Sequence, residues 1–137
     1  MSIFVDSSAW YAAADRVDRY NAVAKRLLQT PEPLVTSDHV VVETWRLIHH
    51  FLSAHAAKAF WGGLRRGGAT IEQTTSADLE AAWAIGERFA DEDFSLVDRT
   101  SFAVMERLGI SRVISFDNDF AVYRCGPNLR TAFEVQR

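Results

Sequence analysis

Between Phe94 and Phe120 the chain reads FSLVDRTSFAVMERLGISRVISFDNDF, and this stretch restricts the fold more than any other. Leu96, Val97, Phe102, Ala103, Met105 and Leu108 recur at helical spacing, with Gly109 just past the last turn as a C-cap. Val113, Ile114 and Phe116 follow as an apolar run too short for a helix, which predicts a buried strand. That strand runs out at a carboxylate, Asp117, while Asp98 sits one turn into the helix. A helix feeding directly into a strand is the unit of an α/β sheet, and such sheets bind ligands outside the carboxyl ends of their strands.

The rest of the chain repeats the alternation. Ile3-Phe4-Val5 is a short apolar strand ending at Asp6, and Ser7 or Ser8 is expected to cap the helix carrying Trp10, Tyr11 and Ala12. Asp15 to Asp18 is a polar turn. Tyr20, Val23, Ala24, Leu27 and Leu28 then form one face of an amphipathic helix, which Pro31 and Pro33 end. Leu34-Val35-Thr36 is a second strand, with Ser37 or Asp38 as the next N-cap. The helix that follows carries Val40, Val41, Val42, Trp45, Leu47, Ile48, Phe51 and Leu52 on most of its sides, so a central place is expected. Glu43 interrupts its apolar start. Ser53 opens a further helix closed by Gly67-Gly68, Thr70 to Gln73 is the weakest strand, and Thr75 with Asp78 has capping-box spacing. Ala132 to Val135 reads as an edge strand. Residues 1–137 are therefore expected to form a single α/β domain, whose mostly parallel central sheet of four to five short strands is covered by helices.

Charge limits the function. Residues 1–70 hold eight Lys/Arg against six Asp/Glu, and residues 71–137 hold seven against twelve, for an overall formal charge of −3. A protein that binds nucleic acid through phosphates alone would be basic. A nucleic-acid reading here needs metal ions to neutralise an acidic cluster. No apolar run approaches the ~20 residues that span a bilayer, and MSIFVDSS lacks the pattern of a signal peptide. Cys125 is alone, which excludes an internal disulfide and suggests a reducing compartment, so a cytoplasmic protein is expected.

Four acids fall where the topology gathers them. Asp6 and Asp117 end strands, and Glu43 and Asp98 lie about one turn into helices. Strand C-termini and helix N-termini share one edge of a parallel sheet, so the four are expected in one cleft. Unneutralised, they would repel one another. A divalent cation resolves the conflict, because Mg²⁺ takes carboxylate, water and phosphate oxygens. Metal-assisted phosphodiester hydrolysis is the reaction class that suits such a set. Each acid also has a plainer reading. Asp6 before Ser7-Ser8 suits a turn, Asp98 with Ser95 suits a capping box, and Asp117 with Asn118 and Asp119 suits an Asx turn. Glu43 is the most telling, since an acid amid Val40, Val41, Val42 and Trp45 needs a partner.

FVDSSAW, SDHVVVETW, SLVDRTSFAVMERLGI and ISFDNDF resemble, in this order, the four motifs of the PIN-domain ribonucleases, and more narrowly of the VapC-like toxins of bacterial toxin–antitoxin pairs. The resemblance covers nearly the whole chain. It implies a three-layer α/β/α domain and a Mg²⁺- or Mn²⁺-dependent endoribonuclease. It also implies a homodimer held inactive by a VapB-like antitoxin, whose C-terminal segment occupies the acidic cleft. The family's catalytic and metal-binding acids fall on Asp6, Glu43, Asp98 and Asp117, and its accompanying hydroxyls on Ser7 or Ser8 and on Ser115. Arg46, one turn after Glu43, is a candidate for touching substrate, and Asp93 and Asp119 are additional acids. The segment SDHVVVETW is similar to that of relatives cutting the sarcin–ricin loop of large-subunit rRNA; tRNA is the next candidate.

The rivals fit less well. A haloacid-dehalogenase-type phosphatase needs Asp-x-Asp, but position 8 is Ser, and a MIDAS-type site needs a serine where Trp10 stands. A receiver-like domain needs a late lysine, whereas the lysines are Lys25 and Lys58. A catalytically inactive PIN-like scaffold that binds protein is the non-enzymatic alternative. His39, His49, His50 and His55 come without HExxH or a cysteine set, which argues against zinc. Trp10 and Tyr11 are expected against the sheet, and Trp45, Trp61 and Trp83 in a core or a dimer interface. Arg65 and Arg66 amid their glycines suit either a helix end or an RNA contact.

Overall fold

A computed structural model describes all 137 residues. Five parallel strands form one sheet in the order β3 (Thr70–Glu72), β2 (Leu34–Ser37), β1 (Ile3–Val5), β4 (Arg112–Ile114) and β7 (Glu134–Gln136). β1 is central and buried along its whole length, as a strand covered on both faces must be. Helices α1 (Ser7–Ala14), α2 (Asn21–Leu28), α3 (Asp38–Phe51), α4 (Ala54–Gly63), α5 (Ser76–Arg88) and α6 (Leu96–Leu108) connect the strands, giving three α/β/α layers. The short α7 (Asp119–Val122) follows β4, and β5 (Arg124–Cys125) pairs antiparallel with β6 (Thr131–Ala132) outside the main sheet.

Local chemistry sets the joints. Ser37, Ser53, Thr75 and Ser95 each cap a helix through the side-chain oxygen, and the last two complete capping boxes with Asp78 and Asp98. Gly109 ends α6 in the left-handed region at φ 68°, where a Cβ would be strained. The first helix differs from expectation: its N-cap is Asp6, and Ser7 and Ser8 are its first two residues. The last strand before the acids is also shorter than expected, with Phe116 beyond its end.

An aromatic cluster fills the space between α6 and the C-terminal segment. The Phe102 and Tyr123 rings stack with centroids 4.2 Å apart, and Phe94, Phe120 and Phe133 surround them. Tyr123 is fully buried, and its hydroxyl donates to Glu106 at 3.0 Å, so its polar end is satisfied. Phe120 anchors α7 in this cluster, which fixes the neighbouring Asp119. Trp10 lies in the core, as expected, with its indole N–H donating to Thr36 and its edge on Phe60.

α3 corrects the reading of a central helix. Val40, Val41, Thr44 and Ile48 face the core, but Val42, Trp45 and Phe51 are exposed. Trp83 is 70% exposed. Val41, Val42, Trp45 and Trp61 line a shallow apolar hollow on the outside of the molecule.

Candidate metal centre

Strand register brings the first and last acids together. Val5 pairs with Ile114, so Asp6 and Ser115 are the next residues on adjacent strands. The Asp6 backbone N–H donates to Ile114 at 3.1 Å, and Ser115 Oγ donates to Asp6 Oδ2 at 3.0 Å. Ser8 Oγ reaches the same oxygen at 2.8 Å and accepts the Phe116 N–H at 2.9 Å. Asp6 is thus buried, hydrogen-bonded and fixed. Burial pushes its carboxyl above the ordinary range, the Ser8 and Ser115 hydroxyls oppose that shift, and nearby Asp117 adds to it.

Glu43 lies in the second turn of α3, half-buried, and its Oε1 accepts from Ser7 Oγ at 2.6 Å. Ser7 also approaches Asp6 Oδ1 at 3.4 Å, so the serine links the two carboxylates. Arg46, on the same helix, lines the cleft.

Asp98, Asp117 and Asp119 form the tightest group, each offering one oxygen within 4.8 Å of the others. Asp98 is 7% exposed at the N-terminus of α6. Its Oδ2 also accepts the Ser95 N–H at 3.2 Å in the capping box, so the cap and a place in the acidic group coexist in one side chain. Asp117 is likewise both an Asx-turn residue, accepting the Asp119 N–H at 3.0 Å, and a member of the cluster. Burial, the hydrogen bond to Asp119 and the charges of Asp6, Asp117 and Asp119 push Asp98 up to about 8. Burial raises Asp119 as well, with its bond to Asp98 lowering it and Asp117 and Asp93 raising it.

The acids line one side of an open cleft of about 1120 Å³. All four acids named from sequence contribute to the same edge of the sheet, with Ser7, Ser8, Ser115 and Arg46 beside them. Asp119 is nearer the centre than its place as an additional acid implied. Its signal is present in the chain: Asp117-Asn118-Asp119 after a strand turns straight into a helix, and both acids then face the preceding cap. Tyr20, Phe51, His50 and Phe116 also line the cleft and carry no sequence signature. His39, by contrast, lies against Thr100, with Nδ1 and Oγ1 3.2 Å apart, and ties α3 to α6.

The donor set fits a hard divalent cation. Three carboxylates this close raise one another's proton affinity, and a cation with oxygen preference removes that conflict. No cysteine or histidine joins the group.

Comparison with known proteins identifies the family and the fold. The PIN domain family matches residues 3–124. The 23S rRNA-specific endonuclease VapC20 of Mycobacterium tuberculosis is 40% identical over 121 residues, covering 87% of this chain and 92% of that protein. The crystal structure of the same relative, described as a sarcin–ricin loop cleaving toxin, superposes with a TM-score of 0.82 at 37% identity, over 88% of this chain and 93% of that one. VapBC2 from Rickettsia felis, solved bound to a promoter DNA fragment, shares the fold with a TM-score of 0.71 at 7% identity, over 99% and 98% of the two chains. The chain belongs to the PIN-domain family and, within it, to the VapC-like toxins.

Proposed function

We propose that this chain is the toxin of a toxin–antitoxin pair, an endoribonuclease that hydrolyses an RNA phosphodiester with the help of Mg²⁺ or Mn²⁺. The observation that carries the reading is the Asp98, Asp117 and Asp119 group in a cleft also lined by Glu43, with Asp6 buried behind Ser7 and Ser8. The favoured substrate is the sarcin–ricin loop of large-subunit rRNA, supported by the 40% identical relative that is a 23S rRNA-specific endonuclease. A tRNA loop is the second candidate.

Asp98, Asp117 and Asp119 would hold the cation, with Asp6 closing the inner side and Glu43 the α3 side. When bound, the cation supplies Lewis acidity at the phosphate and a more acidic water. The chain's own contribution is placement. Ser7, Ser8 and Ser115 fix Asp6 and Glu43, so their oxygens need no rearrangement when the substrate arrives. Glu43 is the carboxylate best placed to accept a proton from the attacking water, because it is half-buried on the cleft wall. Arg46 lies where a phosphate oxygen adjacent to the cut would pass.

The same acidic cleft would receive the cognate antitoxin. The apolar hollow at Val41, Val42, Trp45 and Trp61 is where a homodimer would bury exposed indoles. The protein would act in the cytoplasm, where its RNA lies, as one domain over residues 1–137.

The test is end mapping. Purified protein with Mg²⁺ or Mn²⁺ should cut ribosomal RNA at one loop, leaving 5′-phosphate and 3′-hydroxyl ends. Products ending in 2′,3′-cyclic phosphate would show attack by the ribose hydroxyl and sink the hydrolytic reading.

A further inference from the structure

We propose that Tyr20, stacked on Phe116 at the cleft, is a platform for one unpaired nucleobase of the RNA, and that Arg19 covers the ring until the base arrives. This rests on the endoribonuclease reading above and adds a base-binding subsite to it.

Three groups form a pile. The Tyr20 and Phe116 rings are nearly parallel, 6° apart in plane with centroids at 4.6 Å, and Arg19 Cζ lies 4.5 Å from the Tyr20 centroid. A ring stacked on one face has only its other face to offer a guanidinium. The order is therefore Phe116, Tyr20, Arg19.

The pile is tied to the acids. The Phe116 N–H donates to Ser8 Oγ, which itself donates to Asp6. Ser115 and Asp117, on either side of Phe116, both belong to the acidic site. A base resting on this pile would sit at a fixed distance from the reacting phosphate. Tyr20 is held in turn, because its backbone N–H donates to Asp18 at 2.8 Å. Both rings are half-buried and line the cleft, and Arg19, on the outer face of the pile, is exposed to solvent.

Arg19 is the replaceable member. It is exposed and makes no salt bridge. An exposed cation–π contact amounts to roughly 2- to 5-fold in an equilibrium. Base–aromatic stacking amounts to roughly 5- to 150-fold. The exchange favours the base, and the released guanidinium becomes available to a neighbouring phosphate. A cleft whose acids accept RNA only through cations gains from such a contact, because stacking is indifferent to the negative field.

The experiment uses a hairpin RNA with the sarcin–ricin loop sequence, carrying 2-aminopurine at each unpaired position in turn. Binding is read by fluorescence with the full-length Asp98→Asn protein, and cleavage kinetics by proteins with intact acids. Tyr20→Leu keeps the bulk against Phe116 and removes the π-face; Tyr20→Trp keeps both. One loop position should be quenched on binding, and Tyr20→Leu should abolish that quench and raise KM roughly 5- to 150-fold with unchanged melting. Tyr20→Trp should retain quench and KM within a few-fold. Arg19→Ala should keep the quench while reducing the salt slope of binding by about one phosphate contact. Should Tyr20→Leu refuse to fold, the Tyr20→Trp and Arg19→Ala proteins still decide the matter through the quench. Wild-type quench and KM in Tyr20→Leu would overturn the platform. So would a Tyr20→Leu toxin that cleaves normally but escapes its antitoxin, since the pile would then be a peptide contact. A hairpin that is quenched at Tyr20 but never cut would keep the platform and remove the nuclease reading. If it is neither bound nor cut, the platform falls together with the sarcin–ricin substrate, and the nuclease reading passes to the tRNA loop.

Discussion

The N-termini of α5 and α6 are built alike and end up opposite. Each begins with a hydroxyl cap and a buried aspartate three residues on, Thr75 with Asp78 and Ser95 with Asp98, in reciprocal hydrogen bonds. Asp78 is 2% exposed and Asp98 is 7% exposed. Burial works to raise both. At Asp78 burial is the largest influence, but the Arg107 guanidinium, through bonds of 3.0 Å, and the Thr75 cap together outweigh it and hold the carboxyl below its usual range. At Asp98 the neighbours are Asp119, Asp6 and Asp117, and the carboxyl rises to about 8. The same local motif is a structural lock where it meets a cation of its own chain, and part of a candidate metal centre where it meets more acids. The partner decides the role.

The sharpest way to break this comparison is to neutralise each aspartate. Asp98→Asn should fold, melt at or above the wild-type temperature without metal, and lose about 10³-fold or more of its RNA cleavage, an effect on the scale of removing a preorganised charged group from a site. A variant that cleaved within tenfold of wild type would return Asp98 to a capping role only. Asp78→Asn should do the reverse. It leaves Arg107, a third exposed, without its buried partner, costing about 2 kcal/mol in denaturant unfolding while kcat of the folded protein holds.

The pH dependence sharpens the contrast. Asp98, Asp6 and Asp119 are raised in the fold, so their protonated forms are favoured there. Their contribution to stability is full below the ordinary carboxylate range and is lost as pH climbs toward about 8. Melting of metal-free protein should therefore fall by several degrees from pH 5 to pH 8, and Mn²⁺ should restore more at pH 8 than at pH 5. A flat, metal-independent profile would contradict the clustered acids. Asp78 is lowered, so its contribution is present above the unfolded value and disappears only in more acid solution. Asp78→Asn should accordingly flatten the acid limb of the curve and leave the neutral limb alone.

The smallest expected effect is at the caps. Thr75→Ala and Ser95→Ala should each cost about 1 kcal/mol by loss of the N-cap. Only Ser95→Ala should also weaken cleavage, because its hydroxyl accepts the Asp98 backbone N–H and so helps to position Asp98. Equal losses of activity in the two would show that the caps act through stability alone.

Both caps are legible in the chain as T-x-x-D and S-x-x-D, and nothing in that spacing separates them. Arg107 lies 29 residues from Asp78, and Asp119 reaches Asp98 only through the turn that follows β4. What distinguishes the two sites is tertiary. A parallel sheet sends the carboxyl ends of its strands to one edge, which places Asp6 directly; Asp117 lies three residues past β4 and reaches the same edge through the turn there. The cap falls on Asp6 and not on the serines after it, a choice the sequence leaves open because Asp and Ser both favour that position. α7 and the β5–β6 pair are too short to show a period. The outward apolar side chains of α3 carry the same sequence signal as buried ones, because hydrophobicity records that a residue leaves water and not which surface receives it.

Phe120 has a consequence of its own. α7 is four residues long, and its hold on the molecule is this ring, wholly enclosed against Phe102, next to a ligand candidate on the helix's first position. The interior and the candidate ligand Asp119 are therefore coupled by a single peptide link. Selection for cells that survive the toxin should return substitutions deep inside the aromatic cluster, in proteins that are still folded and abundant. Their defect would be recovered by raising Mn²⁺ concentration, distinguishing slack coordination from misfolding.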